Sequence, residues 1–262
     1  MRSFIGTAIT GIVLISSLSG CVHETTYLID GMPSREVQYQ PSEAALTRMN
    51  LGLAYLQAGN SEQAKFNLDR ALSQDPRNPD IHLALAWFYQ QVADFTKAEQ
   101  RYREVLALDK DHGDALNNYG VFLCERERFE EADVMFRKAV AAPHYIKVAD
   151  SYENAALCAK QQGQEQRALH YFNQALEYNS SKPKALLGAA ELLFMQKDYV
   201  EAGKYLQRYR NEFSATPHSL WLTLSNAQAL HQGPQVEQAG ADLVRLFPNS
   251  KQARQWLSHD EK

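Results

Sequence analysis

The sequence predicts an all-α fold, an α-solenoid of about six stacked helix pairs. Two observations lead to it: small and aromatic residues recur every 34 residues, and several prolines fall between the recurring units. One helix pair cannot bury its apolar face alone, so units of this length must stack on their neighbours. The 262-residue chain is 45% hydrophobic and 22% charged, which is ordinary for a folded protein and argues against disorder of the whole chain.

The first 20 residues form a pattern typical of a bacterial export signal. Met1-Arg2 supplies a basic start, an apolar stretch covers residues 4–18, and Leu18-Ser19-Gly20-Cys21 follows. Signal peptidases accept only small residues before the cleavage site. The motif resembles the lipobox of bacterial lipoproteins, and this resemblance implies that Cys21 becomes the first mature residue and carries a diacylglycerol. The alternatives are an ordinary signal peptide and an uncleaved anchor, in either of which Cys21 is incidental.

Residues 21–41 are predicted to be a lipidated, flexible tether. They show no helical period and contain Gly31, Pro33 and Pro41. Residue 22 is Val rather than Asp. Under the usual sorting rule for lipoproteins, this implies the inner, periplasmic leaflet of a Gram-negative outer membrane. The membrane is therefore expected as a partner through the N-terminal lipid, and several acyl chains would make the anchoring stable.

Residues 42–262 are predicted to form a repeat domain. The first unit contains Leu51-Gly52-x-x-Tyr55, and similar patterns return at Leu85-Ala86-x-x-Tyr89 and at Tyr119-Gly120-x-x-Leu123. Two more units follow after a two-residue insertion, and a sixth, degenerate unit begins near Pro217. The period and pattern resemble the tetratricopeptide repeat, which implies two antiparallel helices per unit. A non-repeating helical bundle is the alternative.

Breaks between the predicted helices follow from turn residues and prolines. Turns within the pairs are expected at Gly59-Asn60 and at equivalent positions, and proline ends helices between units because it lacks the backbone N–H. Small residues such as Ala64 are expected where two helices approach most closely. A capping helix is expected over residues 250 to about 258, with Trp256 and Leu257 packed back onto the last pair.

The sequence contains no motif typical of an enzyme. The eight histidines are scattered without an i, i+4 pair, and it has no Cys-x-x-Cys, no glycine-rich phosphate loop and no Gly-x-Ser-x-Gly. We therefore predict no catalytic residues, no metal, no cofactor and no small-molecule substrate. The formal net charge of −4 argues against nucleic acid as a partner, which calls for a basic face.

Cys124 and Cys158 fall in the first helices of adjacent units. Export would place them in an oxidising compartment, where a disulfide can form. A bridge requires Cα atoms within about 7 Å, which neighbouring parallel helices only sometimes provide. The sequence leaves two alternatives open: a disulfide between the third and fourth repeats, or two buried free thiols.

A partner-binding groove is predicted along the first helices of the units. In this type of repeat the first helix faces the concave surface, and its positions 5 and 9 point into it. Exposed apolar stripes usually mark partner sites, tryptophan is favoured at hot spots, and an amide can bind a peptide backbone. The alternative is that the tether, the stack or a self-contact covers these residues. The predicted groove residues are Met49, Leu53, Leu83, Trp87, Asn117, Val121 and Leu157.

Several strings resemble one family more specifically than the repeat does. Together with the lipobox and the length, they resemble the PilF/PilW family of type IV pilus biogenesis lipoproteins, called pilotins, from Cys21 to near Arg254. The strings cover residues 51–56, 117–124 (Asn-Asn-Tyr-Gly-Val-Phe-Leu-Cys), 153–159 (Glu-Asn-Ala-Ala-Leu-Cys-Ala), 199–209 and 219–222.

The family resemblance implies an outer-membrane lipoprotein that binds the secretin subunit of the type IV pilus. Such a protein helps the secretin to reach the outer membrane and to form its multimer, without making or breaking a bond. The alternative is a tetratricopeptide lipoprotein that scaffolds peptidoglycan enzymes or outer-membrane protein assembly. An enzyme is a third hypothesis, which the missing catalytic motifs disfavour.

Overall fold

The computed structural model describes residues 41–260, and this range folds into thirteen α-helices without strands. Twelve helices form six antiparallel pairs, which confirms the predicted solenoid of about six pairs. The helices are α1 (Pro41–Gln57), α2 (Ser61–Gln74), α3 (Pro79–Gln91), α4 (Phe95–Leu108), α5 (Gly113–Glu125), α6 (Phe129–Ala141), α7 (Val148–Gln161), α8 (Glu165–Tyr178), α9 (Pro183–Met195), α10 (Tyr199–Glu212), α11 (Pro217–Ala229), α12 (Gly233–Leu246) and α13 (Lys251–Asp260).

The predicted signal peptide, Cys21 and the tether up to residue 40 lie outside the described residues. Pro41, which the sequence analysis placed in the tether, is the first residue of α1. Proline is well tolerated there, because the first N–H groups of a helix have no partner within the helix. No helix within residues 41–260 combines the length and hydrophobicity needed to cross a bilayer.

The turn within each pair has the same backbone conformation in all six repeats. Three residues separate the two helices, and the middle one has a positive φ between 56° and 80°. This conformation reverses the chain sharply, so the two helices lie antiparallel. Only glycine adopts it without strain, yet four of the six positions carry another residue. The six residues are Gly59, Ala93, Glu127, Gly163, Lys197 and His231.

Small residues mark the points where the two helices of a pair approach most closely, as the sequence predicts. A Cβ atom at Gly52 would lie 2.8 Å from Cγ of Leu68, and one at Gly120 would lie 2.7 Å from Cε1 of Phe136. Ala64 is fully buried in the same contact region. The close approach lets the aromatic ring of Phe136, only 2% exposed, fill the space left by the glycine.

The capping helix α13 packs on the sixth pair and closes its apolar face. Ala253 is fully buried, and the Trp256 ring lies where a side chain at Gly240 would have to stand. The expectation for Leu257 was wrong, because this residue is 48% exposed. The Trp256 ring lies against Gly240 of α12, and Leu257, 100° further around α13 than Trp256, is left towards solvent.

Candidate partner-binding groove

The first helices of successive pairs lie side by side and form one continuous face. Helix α1 contacts α3, α5 contacts α7, α7 contacts α9, and α9 contacts α11. In a tetratricopeptide superhelix this face is the concave one. Equivalent positions of the first helices therefore lie in a row along this face, and similar side chains at these positions form a stripe.

Six of the seven predicted groove residues form such a stripe. Most are half-buried and pack against the core with one side, while Leu157 is 39% exposed. Their partial exposure leaves apolar surface accessible along the first four repeats. We call this set the apolar stripe; it consists of Met49, Leu53, Leu83, Trp87, Val121 and Leu157.

The seventh predicted groove residue, Asn117, is placed differently from the expectation. Its side chain is buried, with 8% of the residue exposed. Its Oδ1 accepts hydrogen bonds from Oγ of Ser151 and Nδ2 of Asn154, both at 3.0 Å, and its Nδ2 donates to Asn118 at 3.1 Å. The amide joins the third repeat to the fourth instead of standing ready for a peptide backbone, so this part of the prediction was wrong.

One edge of the face carries acidic residues that pair with cations of the next repeat. Asp80 lies 3.1 Å from Nε2 of His112, and Asp114 lies 2.9 Å from Nζ of Lys147. The hydrogen bond between Asp80 and His112 lowers the pKa of Asp80 and raises the pKa of His112. Asp150 pairs with Lys182 in the same way one repeat further on. We call these three pairs the inter-repeat ion pairs.

The inter-repeat ion pairs were not predicted, although the sequence contains a signal for them. An aspartate stands near the start of α3, α5 and α7, and a basic residue precedes the first helix of the following repeat. This signal can be recognised only once the structure shows that the aspartate contacts the basic residue 32 or 33 positions later. Each pair fixes the register of one repeat against the next, and each is partly exposed, so its contribution to stability is small.

Cys124 on α5 and Cys158 on α7 are joined by a disulfide in the structure. Their Cα atoms are 5.9 Å apart, within the range that a bridge requires. The bond closes a loop of 34 residues and ties the third repeat to the fourth. In the chain-entropy model, closing a loop of this length stabilises the folded state by about 4 kcal/mol.

Residues 41–260 contain no group of three His, Cys, Asp or Glu side chains that could hold a metal ion. The most perturbed tyrosine serves the fold: burial raises the pKa of Tyr102, whose hydroxyl donates to Gln90 at 3.0 Å. Ionised side chains such as Glu99 link helices, since its Oε1 accepts from Tyr119 and Arg128, both at 2.9 Å.

Six helix pairs with an apolar stripe along the first helices define a tetratricopeptide-repeat protein, a class that acts through protein–protein contacts. Family models of the tetratricopeptide repeat match residues 55–102 and 159–218, and residues 89–145. The chain is 35% identical over 208 residues to the type IV pilus assembly protein PilF of Pseudomonas aeruginosa, a match that covers 79% of this chain and 82% of that protein. The chain therefore belongs to the PilF/PilW family of type IV pilus biogenesis proteins.

Two solved structures of the family match the fold described above. The structure of Pseudomonas aeruginosa PilF superposes with a TM-score of 0.73 at 33% identity, covering 84% of this chain and 99% of that one. The crystal structure of PilW, a widely conserved type IV pilus biogenesis factor, gives a TM-score of 0.70 at 27% identity, covering 81% and 98%. The sequence-based family assignment is thus confirmed.

Proposed function

We propose that this protein is a lipid-anchored outer-membrane factor that binds the secretin subunit of the type IV pilus in its groove. In this proposal the lipid on Cys21 determines the location and the apolar stripe holds a segment of the secretin. Binding promotes the arrival of the secretin at the outer membrane and its multimerisation. No bond is made or broken, so the protein acts as a pilotin rather than as an enzyme.

The observation that carries the proposal is the partly exposed apolar stripe. When a partner covers apolar surface that is otherwise in contact with water, the free energy of binding becomes more favourable by about 25 cal/mol for each Å² covered. Trp87 lies among them on α3, and tryptophan is the residue most often found at the energetic centre of an interface. Family membership gives the process, type IV pilus biogenesis, and the stripe gives a surface through which the protein would act.

Secretin assembly in a strain that lacks the gene tests this proposal. Outer-membrane fractions are separated without boiling and probed for the secretin multimer. We expect the multimer to be lost and to return with the wild-type gene. Complementation with Cys21→Ala is expected to leave the protein, and the secretin with it, outside the outer membrane. A normal multimer and normal pili in the deletion strain would contradict the proposal.

A further inference from the structure

Helix α7 carries a stripe of four side chains that continues the groove beyond the apolar stripe. Asp150, Glu153, Leu157 and Lys160 are spaced three, four and three residues apart, so they lie on one face of the helix. The side chains of Asp150 and Lys160 are 52% and 32% exposed, and Leu157 is 39% exposed. Glu153, between them, is only 10% exposed. A buried carboxylate on an otherwise accessible stripe requires an explanation.

The charges around Glu153 do not balance. Nζ of Lys182 lies 3.3 Å from Oε1 of Glu153 and also pairs with Asp150, so one cation serves two carboxylates. The neighbouring acid Glu191 has a close cation of its own, Nζ of Lys160 at 2.7 Å, and Asp114 has Lys147 at 2.9 Å. The cluster of Asp150, Glu153 and Lys182 therefore has a formal charge of −1.

The second oxygen of Glu153 has no hydrogen-bond partner. Oε2 is buried, and no described residue donates to it. Buried polar atoms in folded proteins almost always have a partner, because a carboxylate oxygen without a donor loses the hydrogen bonds that water would give it. The donor that Oε2 lacks in this chain can come from a molecule bound in the groove.

We propose that Glu153 receives a basic side chain, lysine or arginine, from the segment that occupies the groove. This inference rests on the proposed function, because it assigns a chemical class to the segment held there. An incoming cation neutralises the charge of −1, and rotation of the carboxylate about its last bond turns Oε2 towards it. An arginine would contact Oε2 while Lys182 remains on Asp150, and such charge-assisted hydrogen bonds are stronger than neutral ones.

The position of Glu153 also predicts what stands beside the basic residue. Leu157 follows Glu153 by one helical turn on the same face, and it is the last member of the apolar stripe. A bound segment therefore places apolar residues along repeats one to four and a basic residue at the junction of the fourth and fifth repeats. The preferred ligand is an apolar peptide with a lysine or arginine near one end.

Selection from a random 12-residue peptide library on the full-length protein tests the inference without using the secretin. Wild type, Glu153→Gln and Asp150→Asn are compared. Both variants remove one negative charge from the cluster, but only Glu153→Gln removes the carboxylate with the unpartnered oxygen. We expect peptides with a basic residue next to apolar ones on wild type, a weaker preference on Asp150→Asn, which removes the net charge but keeps the unpartnered oxygen, and loss of the preference on Glu153→Gln.

The decisive readout is one selected peptide and its Arg→Gln or Lys→Gln counterpart. On wild type the exchange should weaken binding at least tenfold, and on Glu153→Gln it should change binding less than twofold. Equal effects on all three proteins, or no selected peptides on wild type, would overturn the inference. If Glu153→Gln fails to fold, wild type alone still tests the inference. An Arg→Gln or Lys→Gln exchange in the peptide that leaves its affinity for wild type unchanged would overturn the inference. Normal secretin assembly in the deletion strain would refute the proposed function but leave the peptide preference measurable.

Discussion

Asp80 and His112, 32 residues apart in the sequence, lie 3.1 Å from each other and join the second repeat to the third. The same arrangement returns one repeat later between Asp114 and Lys147. Repeat proteins are stabilised by contacts between neighbours, so these pairs act at the interfaces that hold the array together. Only the first of the two contains a group that titrates near neutral pH, and its effect can therefore be isolated.

The pKa of His112 should fall when Asp80 is replaced by Asn. The hydrogen bond to the carboxylate raises the pKa of His112, so the stability that it contributes is complete below the unfolded-state value near 6.5 and is lost as the pH rises through the folded-state value. Between pH 6 and pH 8.5, wild type should lose about 0.5 kcal/mol more stability than Asp80→Asn, since the pair is partly exposed. Histidine NMR titration and urea unfolding at both pH values measure this. Identical titration curves for His112 in the two proteins would contradict the assignment.

The stability contributed by Asp80, the acidic member of the same pair, depends on pH in the opposite direction. Hydrogen bonding to His112 lowers the pKa of Asp80, so its contribution is present above the unfolded value of 3.8 and is lost as the pH falls through the folded value. The pair is thus most stabilising between the unfolded-state pKa values of the two groups. Comparison of wild type with Asp80→Asn by urea unfolding between pH 3 and pH 6 should show the difference growing with pH.

Replacing Ala93 by glycine should stabilise the protein. Ala93 has a φ of 59° in the turn between α3 and α4, a conformation that costs a residue with a side chain about 1–2 kcal/mol. Glycine removes this strain but loses more entropy on folding, so the expected net gain is about 0.5 kcal/mol. Ala54→Gly, at an exposed position inside α1, should instead cost about 1 kcal/mol. Equal losses at the two sites in urea unfolding would show that the turn is not strained.

Gly120→Ala should destabilise the third repeat. The added Cβ would lie 2.7 Å from the Phe136 ring, and overpacking of this kind costs about 1–3 kcal/mol. The higher helix propensity of alanine compared with glycine offsets at most about 1 kcal/mol of this cost. Because the clash is with one ring, Phe136→Leu should relieve it, so the double variant should be less destabilised than the sum of the two single variants. Additive losses in a double-mutant cycle would place the cost elsewhere.

The disulfide predicts both a thiol count and a stability difference. Denatured, unreduced Cys21→Ala protein should contain no free thiol, because Cys124 and Cys158 are the remaining cysteines. Reduction, or replacement of both by serine, should lower the free energy of unfolding by up to about 4 kcal/mol. Two free thiols per chain in the denatured, unreduced protein would show that the bridge is absent.

The helix pairs could be predicted from the sequence, but the side-chain contacts between repeats could not. The spacing of Gly52, Gly120 and the aromatic residues predicted the six pairs correctly, because each pair packs through the same sequence positions of its repeat. The role of Asn117 was misjudged, since its partners Ser151 and Asn154 lie 34 and 37 residues away and the two-residue insertion shifts the register between them. Side-chain pairing across repeats depends on such shifts, which a period of 34 residues does not reveal.

Binding of the secretin by two variants matched in exposure tests the central claim most directly. Leu157 belongs to the apolar stripe and is 39% exposed, whereas Leu108 lies at the end of the second helix α4 and is 38% exposed. The purified full-length chain carrying Leu157→Asn or Leu108→Asn is titrated against the purified secretin subunit. We predict at least tenfold weaker binding for Leu157→Asn and unchanged binding for Leu108→Asn. Equal affinities for wild type and both variants would contradict the groove as the binding surface.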